Sequence, residues 1–199
     1  MLDDNTIEAI KQKKLDSLAA KHLHVKERVV LNRLNRLVDC FAIAVPVLYF
    51  VPRFLAKGTR YANPVEIGWE ILAAILLCLT AVKISFRWEE RAQVHSKLLG
   101  ENIFIAGQAD ELLLNIAKLT PESARGFLLL AGRSEIADRE AIGEPPSKKK
   151  QFAYREALKE FESGNREICC PICNSSPWKF VAGSCQTCGN TPAPQKGSQ

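Results

Sequence analysis

Four cysteines near the end of the chain have a spacing suited to binding a metal ion. Cys170 and Cys173 form one CxxC pair, Cys185 and Cys188 form a second, and eleven residues separate the pairs. A CxxC turn directs two thiolates at one point, so two such turns supply the four soft ligands of a tetrahedral zinc ion. Because all four ligands are cysteines, no coordination position stays open for a substrate. We therefore predict a structural zinc site rather than a catalytic one.

Disulfides or a thioredoxin-like redox pair are the alternatives for these cysteines. The chain starts with Met-Leu-Asp-Asp-Asn and no apolar stretch follows, so we expect no secretory signal and a reducing compartment. Two CxxC pairs at this separation favour zinc over both alternatives. Cys169 competes with Cys170 as the first ligand, but only Cys170 gives the two-residue spacing. The insert holds a short β-type run at residues 178–181, which predicts a zinc ribbon or paired knuckles that fold around the metal.

The distribution of apolar residues is uneven along the chain. Its 199 residues are 47% hydrophobic and carry a formal net charge of +5, which is too small to indicate a nucleic-acid binder by itself. The content of charged residues, 25%, argues against a disordered chain. Residues 40–52 and 71–82 carry no charge over 13 and 12 residues. A soluble globule would spread its core residues more evenly.

These two apolar segments predict a two-span membrane hairpin. Uncharged runs of this length are more often buried helices of soluble proteins, and a soluble helical protein is therefore the alternative. The runs are apolar on all faces, however, and their charged neighbours offer little material for a surrounding core. Aromatic and basic residues, typical of membrane interfaces, stand at the edges of the runs: Tyr49, Phe50, Arg53, Tyr61, Phe86, Arg87, Trp88 and Arg91. The turn between the spans is predicted at residues 56–64.

The predicted organisation is mainly α-helical, with six segments. These are a basic amphipathic helix (1–36), the membrane hairpin (37–84), a cytosolic helical region (85–142), a linker (143–150), a short helix with the zinc ribbon (151–190) and a flexible tail (191–199). In the cytosolic region, one helix is predicted to end at Gly100, and Thr120-Pro121-Glu122 is predicted to open another. Lys and Arg number five in residues 21–36, four in residues 83–97 and three in the hairpin loop, which places both termini in the cytoplasm.

The sequence contains no recognisable catalytic motif, and we expect no enzyme activity. HExxH, GxSxG, Walker-type and GxGxxG patterns are absent. His22, His24 and His95 lie on charged helical stretches and are expected to be exposed at the surface. Four ionisable residues border or enter the apolar segments and are candidates for lining a pore, with a place at headgroup level as the alternative: Asp39, Glu66, Glu70 and Lys83.

The pattern Cys170-x2-Cys173-x11-Cys185-x2-Cys188 resembles a family of bacterial mobile-element proteins named for that spacing. Residues 26–117 are similar to the SLATT class of two-transmembrane domains. The resemblance implies a membrane effector of anti-phage conflict systems. Such an effector would form pores once a nucleotide-sensing or other partner detects infection. No catalytic residue is implied.

These observations predict a bacterial inner-membrane effector that oligomerises and permeabilises the membrane when a partner activates it. Its expected partners are membrane lipid, further copies of the chain and a sensor or regulatory protein, and its expected cofactor is structural Zn²⁺. The alternative is a non-lytic, membrane-tethered adaptor whose zinc ribbon binds a protein or nucleic acid. Trp178 and Lys179 could make such a contact, but a single basic–aromatic pair gives little support for nucleic acid.

Overall fold

The computed structural model describes residues 3–56, 62–162 and 165–193 and is built from helices. They are α1 (Asp4–Ala56), α2 (Ala62–Ser85), α3 (Trp88–Leu114), a short 3-10 helix (Ile116–Lys118), α4 (Pro121–Ile142) and α5 (Ser147–Phe161). The prediction of a mainly helical protein is confirmed. Most of the predicted hairpin turn (57–61) and of the flexible tail (194–199) lies outside the described residues.

Several element boundaries differ from those predicted. α1 continues without a break past residue 36, so the basic helix and the first apolar segment belong to one helix. The predicted helix end at Gly100 is wrong, because α3 runs through it to Leu114. A glycine inside a helix costs only about 1 kcal/mol, which the packing of the buried Leu98, Leu99 and Ile105 outweighs. The predicted linker is shortened to residues 143–146, since α5 begins at Ser147.

The start of α4 confirms the helix opening predicted from the sequence. The side chain of Thr120 accepts a hydrogen bond from the backbone N–H of Ser123, and the Ser123 hydroxyl accepts one from the backbone N–H of Thr120. Pro121 occupies the first helical position, where its missing N–H has no partner to lose. Glu122 adds a negative charge beside the positive end of the helix dipole.

The described residues form two compact units, residues 1–26 with 94–199 and residues 27–93. In the first unit, the beginning of α1 packs with α3 and α4 around one apolar cluster: Ile10, Ile105, Ala109, Ala124, Phe127 and Ala131. A second cluster joins α1, α3 and α5 to the four CxxC cysteines, and its other members are Leu15, Leu18, Ala106, Ala157 and Leu158. The cysteines therefore lie inside the core of this unit.

His24 is buried, which contradicts the expectation of an exposed histidine. Its ring has 0% exposure, and its Nδ1 lies 2.9 Å from Nδ1 of His95. Its Nε2 lies 3.3 Å from a carboxylate oxygen of Asp138, which also accepts a hydrogen bond from Asn102 at 2.8 Å. We expected His24 to be exposed because its neighbours in sequence are charged, which is typical of a helix face in contact with water. The polar groups that allow it to be buried lie on α3 and α4, far from it in the sequence.

The second unit contains the apolar part of α1, α2 and the start of α3. Lys83 on α2 lies 2.5 Å from the carboxylate of Asp39 on α1, and the rings of Tyr49 and Trp69 meet edge to face at 5.4 Å. Large apolar side chains along α2 are at least half exposed, namely those of Ile67, Ile71, Ile75 and Leu77. Among the described residues, one helical stretch, Glu66–Leu114, is long and apolar enough to cross a membrane.

A close backbone approach holds the end of the first unit together. The N–H of Thr191 donates to the carbonyl of Val181 at 2.8 Å, beside an isolated β-bridge between Ala182 and Asn190. A Cβ placed on Gly183 would lie 2.3 Å from the Cα of Thr191. Only glycine fits at this position without moving the backbone.

Gly183→Ala should therefore destabilise the first unit by about 1–3 kcal/mol, the usual cost of forcing extra volume into a packed site. Thermal unfolding of the purified chain measures the effect. Gly132→Ala in α4 is the matched control, because its Cβ would meet nothing within 4 Å. The control should be neutral or stabilising by up to about 1 kcal/mol. Equal melting temperatures for the two variants would contradict the close approach.

Candidate metal centre

The two CxxC pairs adopt the same backbone turn. The N–H of Asn174 donates to the carbonyl of Cys170 at 2.9 Å, and the N–H of Gly189 donates to the carbonyl of Cys185 at 2.9 Å. In both turns the N–H of the first cysteine donates in turn to the carbonyl five residues later, at 3.0 and 3.1 Å. These repeated bonds make the site a pair of cysteine knuckles.

The residue that closes each knuckle has a left-handed backbone. Asn174 has φ of 54° and Gly189 has φ of 72°. Asparagine and glycine are the residues that adopt this conformation at least cost. The local sequences Cys-Asn and Cys-Gly after the two pairs thus favour the turns that aim the thiols inward.

The sequence predicted either a zinc ribbon built from β-strands or paired knuckles, and the ribbon is not formed. No strand occurs in residues 165–193, and the β-type run at 178–181 forms a turn, a bend and irregular chain before the bridge between Ala182 and Asn190. The buried amide of Asn190 explains this local structure. It donates to the carbonyls of Ser176 and Lys179 at 3.1 and 3.2 Å and accepts from the N–H of Val181 at 2.6 Å. The Asn190 side chain therefore makes the backbone hydrogen bonds that a neighbouring β-strand would otherwise make.

The four thiols converge on one point. The sulfurs of Cys170, Cys173, Cys185 and Cys188 all lie within 4.8 Å of one another, and those of Cys173 and Cys188 are 3.4 Å apart. All four are free thiols, with no disulfide among them. Four sulfurs held 2.3 Å from a tetrahedral ion would be about 3.8 Å apart, so the arrangement fits a metal ion closely.

Burial and hydrogen bonding act in opposite directions on these thiols. Burial raises the pKa of Cys170 and of Cys188 because it penalises the charged thiolate. Burial also opposes ionisation of Cys185, but the backbone N–H groups of Cys188 and Thr187 outweigh it and lower the pKa of Cys185 to about 7. The Cys185 thiol therefore ionises near neutral pH, whereas Cys170 and Cys188 would give up their protons only when a cation binds.

Helix α5 positions the second knuckle. The guanidinium of Arg155 donates to the carbonyl of Cys188 at 2.8 Å, and the amide of Gln151 donates to the carbonyl of Cys185 at 3.3 Å. Burial beside the cysteines raises the pKa of Tyr154 on the same helix to about 12. The CxxC spacing predicted the clustering of the four cysteines. It could not predict their contact with α5, because the hydrogen bonds join residues more than thirty positions apart.

Cys169 stands apart from the cluster. Its side chain is exposed, and its thiol donates to the carbonyl of Glu167 at 3.3 Å. The cluster is formed by the four residues of the CxxC pattern alone among the described residues. These four buried cysteines are placed so that they could hold a metal ion.

The four ionisable residues at the apolar segments fall into two pairs. Asp39 and Lys83 form the ion pair between α1 and α2. Glu66 and Glu70 line a cleft of about 790 Å³ in the second unit, together with Tyr49 and Trp69. Asp39 thus lies beside Lys83, and Glu66 lies near Glu70. A role of these four residues in a pore stays a prediction.

Comparison with known proteins supports the interpretation of the cysteine spacing. The family described as mobilome CxxCx(11)CxxC proteins matches residues 8–191, which include both knuckles and all the described helices apart from the first residues of α1. No curated protein and no solved structure matches the chain. The chain belongs to the family of mobilome CxxCx(11)CxxC proteins.

Proposed function

We propose that this protein is a bacterial inner-membrane effector that oligomerises and permeabilises the membrane when a partner activates it. The observation that carries the proposal is the second unit, residues 27–93. It exposes large apolar side chains along α2 and keeps two acidic residues, Glu66 and Glu70, in a cleft beside them. Membership of a mobilome family supports a role in conflict between mobile elements. The resemblance of residues 26–117 to the SLATT class, noted from the sequence, supports pore formation.

Zinc is the metal that best suits the cysteine cluster. Four thiolates in a closed, buried site are typical of structural zinc, which needs no open coordination position and no redox change. When bound, the ion would supply folding energy to a segment that has almost no secondary structure of its own. Arg155 and Gln151 would hold the knuckle carbonyls in place around it.

Purified protein should contain about one zinc ion per chain, and Cys170→Ser should lose it, because three thiolates bind the ion much more weakly than four. Elemental analysis of the purified chain measures the metal. Limited proteolysis should then cut Cys170→Ser within residues 165–193. Cys169→Ser is the matched control, since this neighbouring thiol lies outside the cluster, and it should keep its zinc. Equal zinc content in Cys170→Ser and the parent would refute the assignment.

We infer that α1 and α2 cross the membrane as an antiparallel hairpin. Asp39 pairs with Lys83 and Tyr49 meets Trp69, so residue numbers rise on α1 as they fall on α2. Helix α2 has 24 residues, which at 1.5 Å each reach about 36 Å, enough for a hydrocarbon core of about 30 Å. The ion pair would lie at the cytoplasmic end, where Lys83 can extend toward the headgroups.

Both termini should face the cytoplasm, and the chain should stay in the membrane fraction after a carbonate wash. Protease added to inverted vesicles should cut the link at residues 143–146, whereas protease added to intact spheroplasts should not reach it. Immunoblotting against the chain's C-terminal end measures the cut. Release of the protein by carbonate would show a soluble helical protein and contradict the membrane location.

The cleft supports a role for the acidic pair in permeation. Ionisable groups within a membrane usually face a bundle interior or a water-filled cavity. Glu66 and Glu70 lie four residues apart, so both carboxylates stand on one face of α2. When several copies assemble around that face, their carboxylates would line a cation-selective path. The zinc-containing unit would control this assembly from the cytoplasm.

Induced expression should depolarise bacterial cells, as measured with a potential-sensitive dye. Glu70→Ala should reduce the depolarisation several-fold, because it removes a charge from the path. Cys170→Ser should also reduce it, through loss of the zinc-held unit. Glu140→Gln, an exposed acid on α4, is the control and should behave like the parent.

The non-lytic adaptor makes the opposite prediction for this experiment. Growth arrest by the parent chain without any loss of membrane potential would contradict permeabilisation. A parent and a Glu70→Ala variant that depolarise equally would contradict the role of the acidic pair. Immunoblots of the membrane fraction must show equal amounts of each variant.

A further inference from the structure

The metal-binding segment displays a set of apolar side chains to solvent. We name residues 178–181 the aromatic loop. Trp178 is 48% exposed, Phe180 is 52% exposed and Val181 is 62% exposed. Contiguous apolar groups at a protein surface commonly mark a binding site. Here three of the four residues of one loop contribute them.

The aromatic loop is held rigidly by its backbone. The buried Asn190 bonds the carbonyl of Lys179 and the N–H of Val181, and Thr191 donates to the Val181 carbonyl at 2.8 Å. The side chains of the loop are thus presented outward by a backbone whose conformation is already fixed. Fixing a loop before binding lowers the entropy cost of ordering it on a surface.

Cations surround the aromatic loop. The guanidinium of Arg155 stacks over the Phe180 ring at 3.8 Å, and the ammonium of Lys159 lies 5.6 Å from the Trp178 ring. Lys179 is exposed between the two aromatic residues. Lys159 forms an ion pair with Glu156 at 2.7 Å, which offsets its charge. Arg155 and Lys179 are therefore the main sources of positive charge. The surface thus combines exposed apolar side chains with the positive charges of Arg155 and Lys179.

We propose that the aromatic loop docks on the anionic lipid surface of the membrane. Tryptophan and phenylalanine partition into the headgroup region, and each lysine or arginine near an anionic leaflet adds to the attraction. The proposal rests on the proposed membrane location, which keeps this segment tethered to a bilayer. Docking would hold the zinc-containing unit against the leaflet and make its position sensitive to lipid charge.

Lipid fits this surface better than single-stranded nucleic acid does. Bases bind by stacking on open aromatic faces, but the guanidinium of Arg155 already covers one face of Phe180. An exposed valine such as Val181 adds nothing to base stacking, whereas it gains from entering an apolar layer.

Fluorescence of the full chain in vesicles tests the proposal. The chain has three tryptophans, so replacing Trp69 and Trp88 with phenylalanine leaves Trp178 as the single indole fluorophore. The protein is reconstituted in vesicles of phosphatidylethanolamine with phosphatidylglycerol, or of phosphatidylcholine alone. Lipids with brominated acyl chains then quench an indole that enters the bilayer, and iodide quenches one that stays in water. Bromine in both leaflets makes the result independent of the orientation of insertion.

We expect brominated lipid to quench Trp178 in the anionic vesicles, and iodide to quench it in the zwitterionic ones. Lys179→Gln should lower the ratio of docked to undocked protein about five-fold, the contribution of one lysine near an anionic surface. Val181→Asp should abolish quenching by brominated lipid. Leu129→Asp, at an equally exposed apolar position on α4, is the matched control and should leave it unchanged.

Two outcomes would overturn the proposal. Trp178 that stays accessible to iodide in both kinds of vesicle would show that the aromatic loop does not dock. Quenching by an oligothymidine strand, without quenching by brominated lipid, would assign the surface to nucleic acid. Dye leakage from vesicles that hold the parent chain, with all three tryptophans, separates this proposal from permeabilisation, because Trp69 itself lines the cleft. Docking without leakage by the parent chain would support docking and contradict the pore. Leakage without docking would support the pore and contradict docking.

Discussion

Four thiols brought together inside an apolar cluster are the constraint on which the first unit depends. The cysteines pack with Leu15 and Leu18 of α1 and with Leu158 of α5, and their exposure is no more than 8%. Several uncompensated thiolates could not remain charged in such a place, because burial of charge is costly. A bound cation removes that cost and lets all four ionise. Binding of a metal ion would therefore stabilise the fold of this unit.

The same arrangement makes the cysteine segment part of the core of the first unit. Its knuckles are fixed from outside by Arg155 and Gln151 on α5 and share a core with the beginning of α1. Loss of the metal would loosen helices that are distant in sequence. An event at the knuckles can thus change the packing of the unit that precedes and follows the proposed spans. This coupling is the physical basis of the proposal that the cysteine-containing unit controls assembly.

What the sequence predicted well was local. The turn at each CxxC pair follows from its local sequence, and the start of α4 follows from Thr120 and Pro121, because each depends on neighbours within a few positions. The burial of His24 could not be predicted, since its partners His95 and Asp138 lie on other helices. The uninterrupted α3 was missed for a similar reason. The packing of Leu98 and Leu99 outweighs the low helix propensity of Gly100, and this packing cannot be predicted from the sequence of α3 alone.

X-ray absorption at the zinc edge of the purified full chain tests the zinc assignment most directly. We expect a single zinc environment with four sulfur ligands at about 2.3 Å and no nitrogen or oxygen neighbour. That result would place the ion between the two knuckles, within the core that joins α1, α3 and α5. A site with nitrogen or oxygen ligands, or with fewer than four sulfurs, would contradict a structural zinc ion held by the four cysteines.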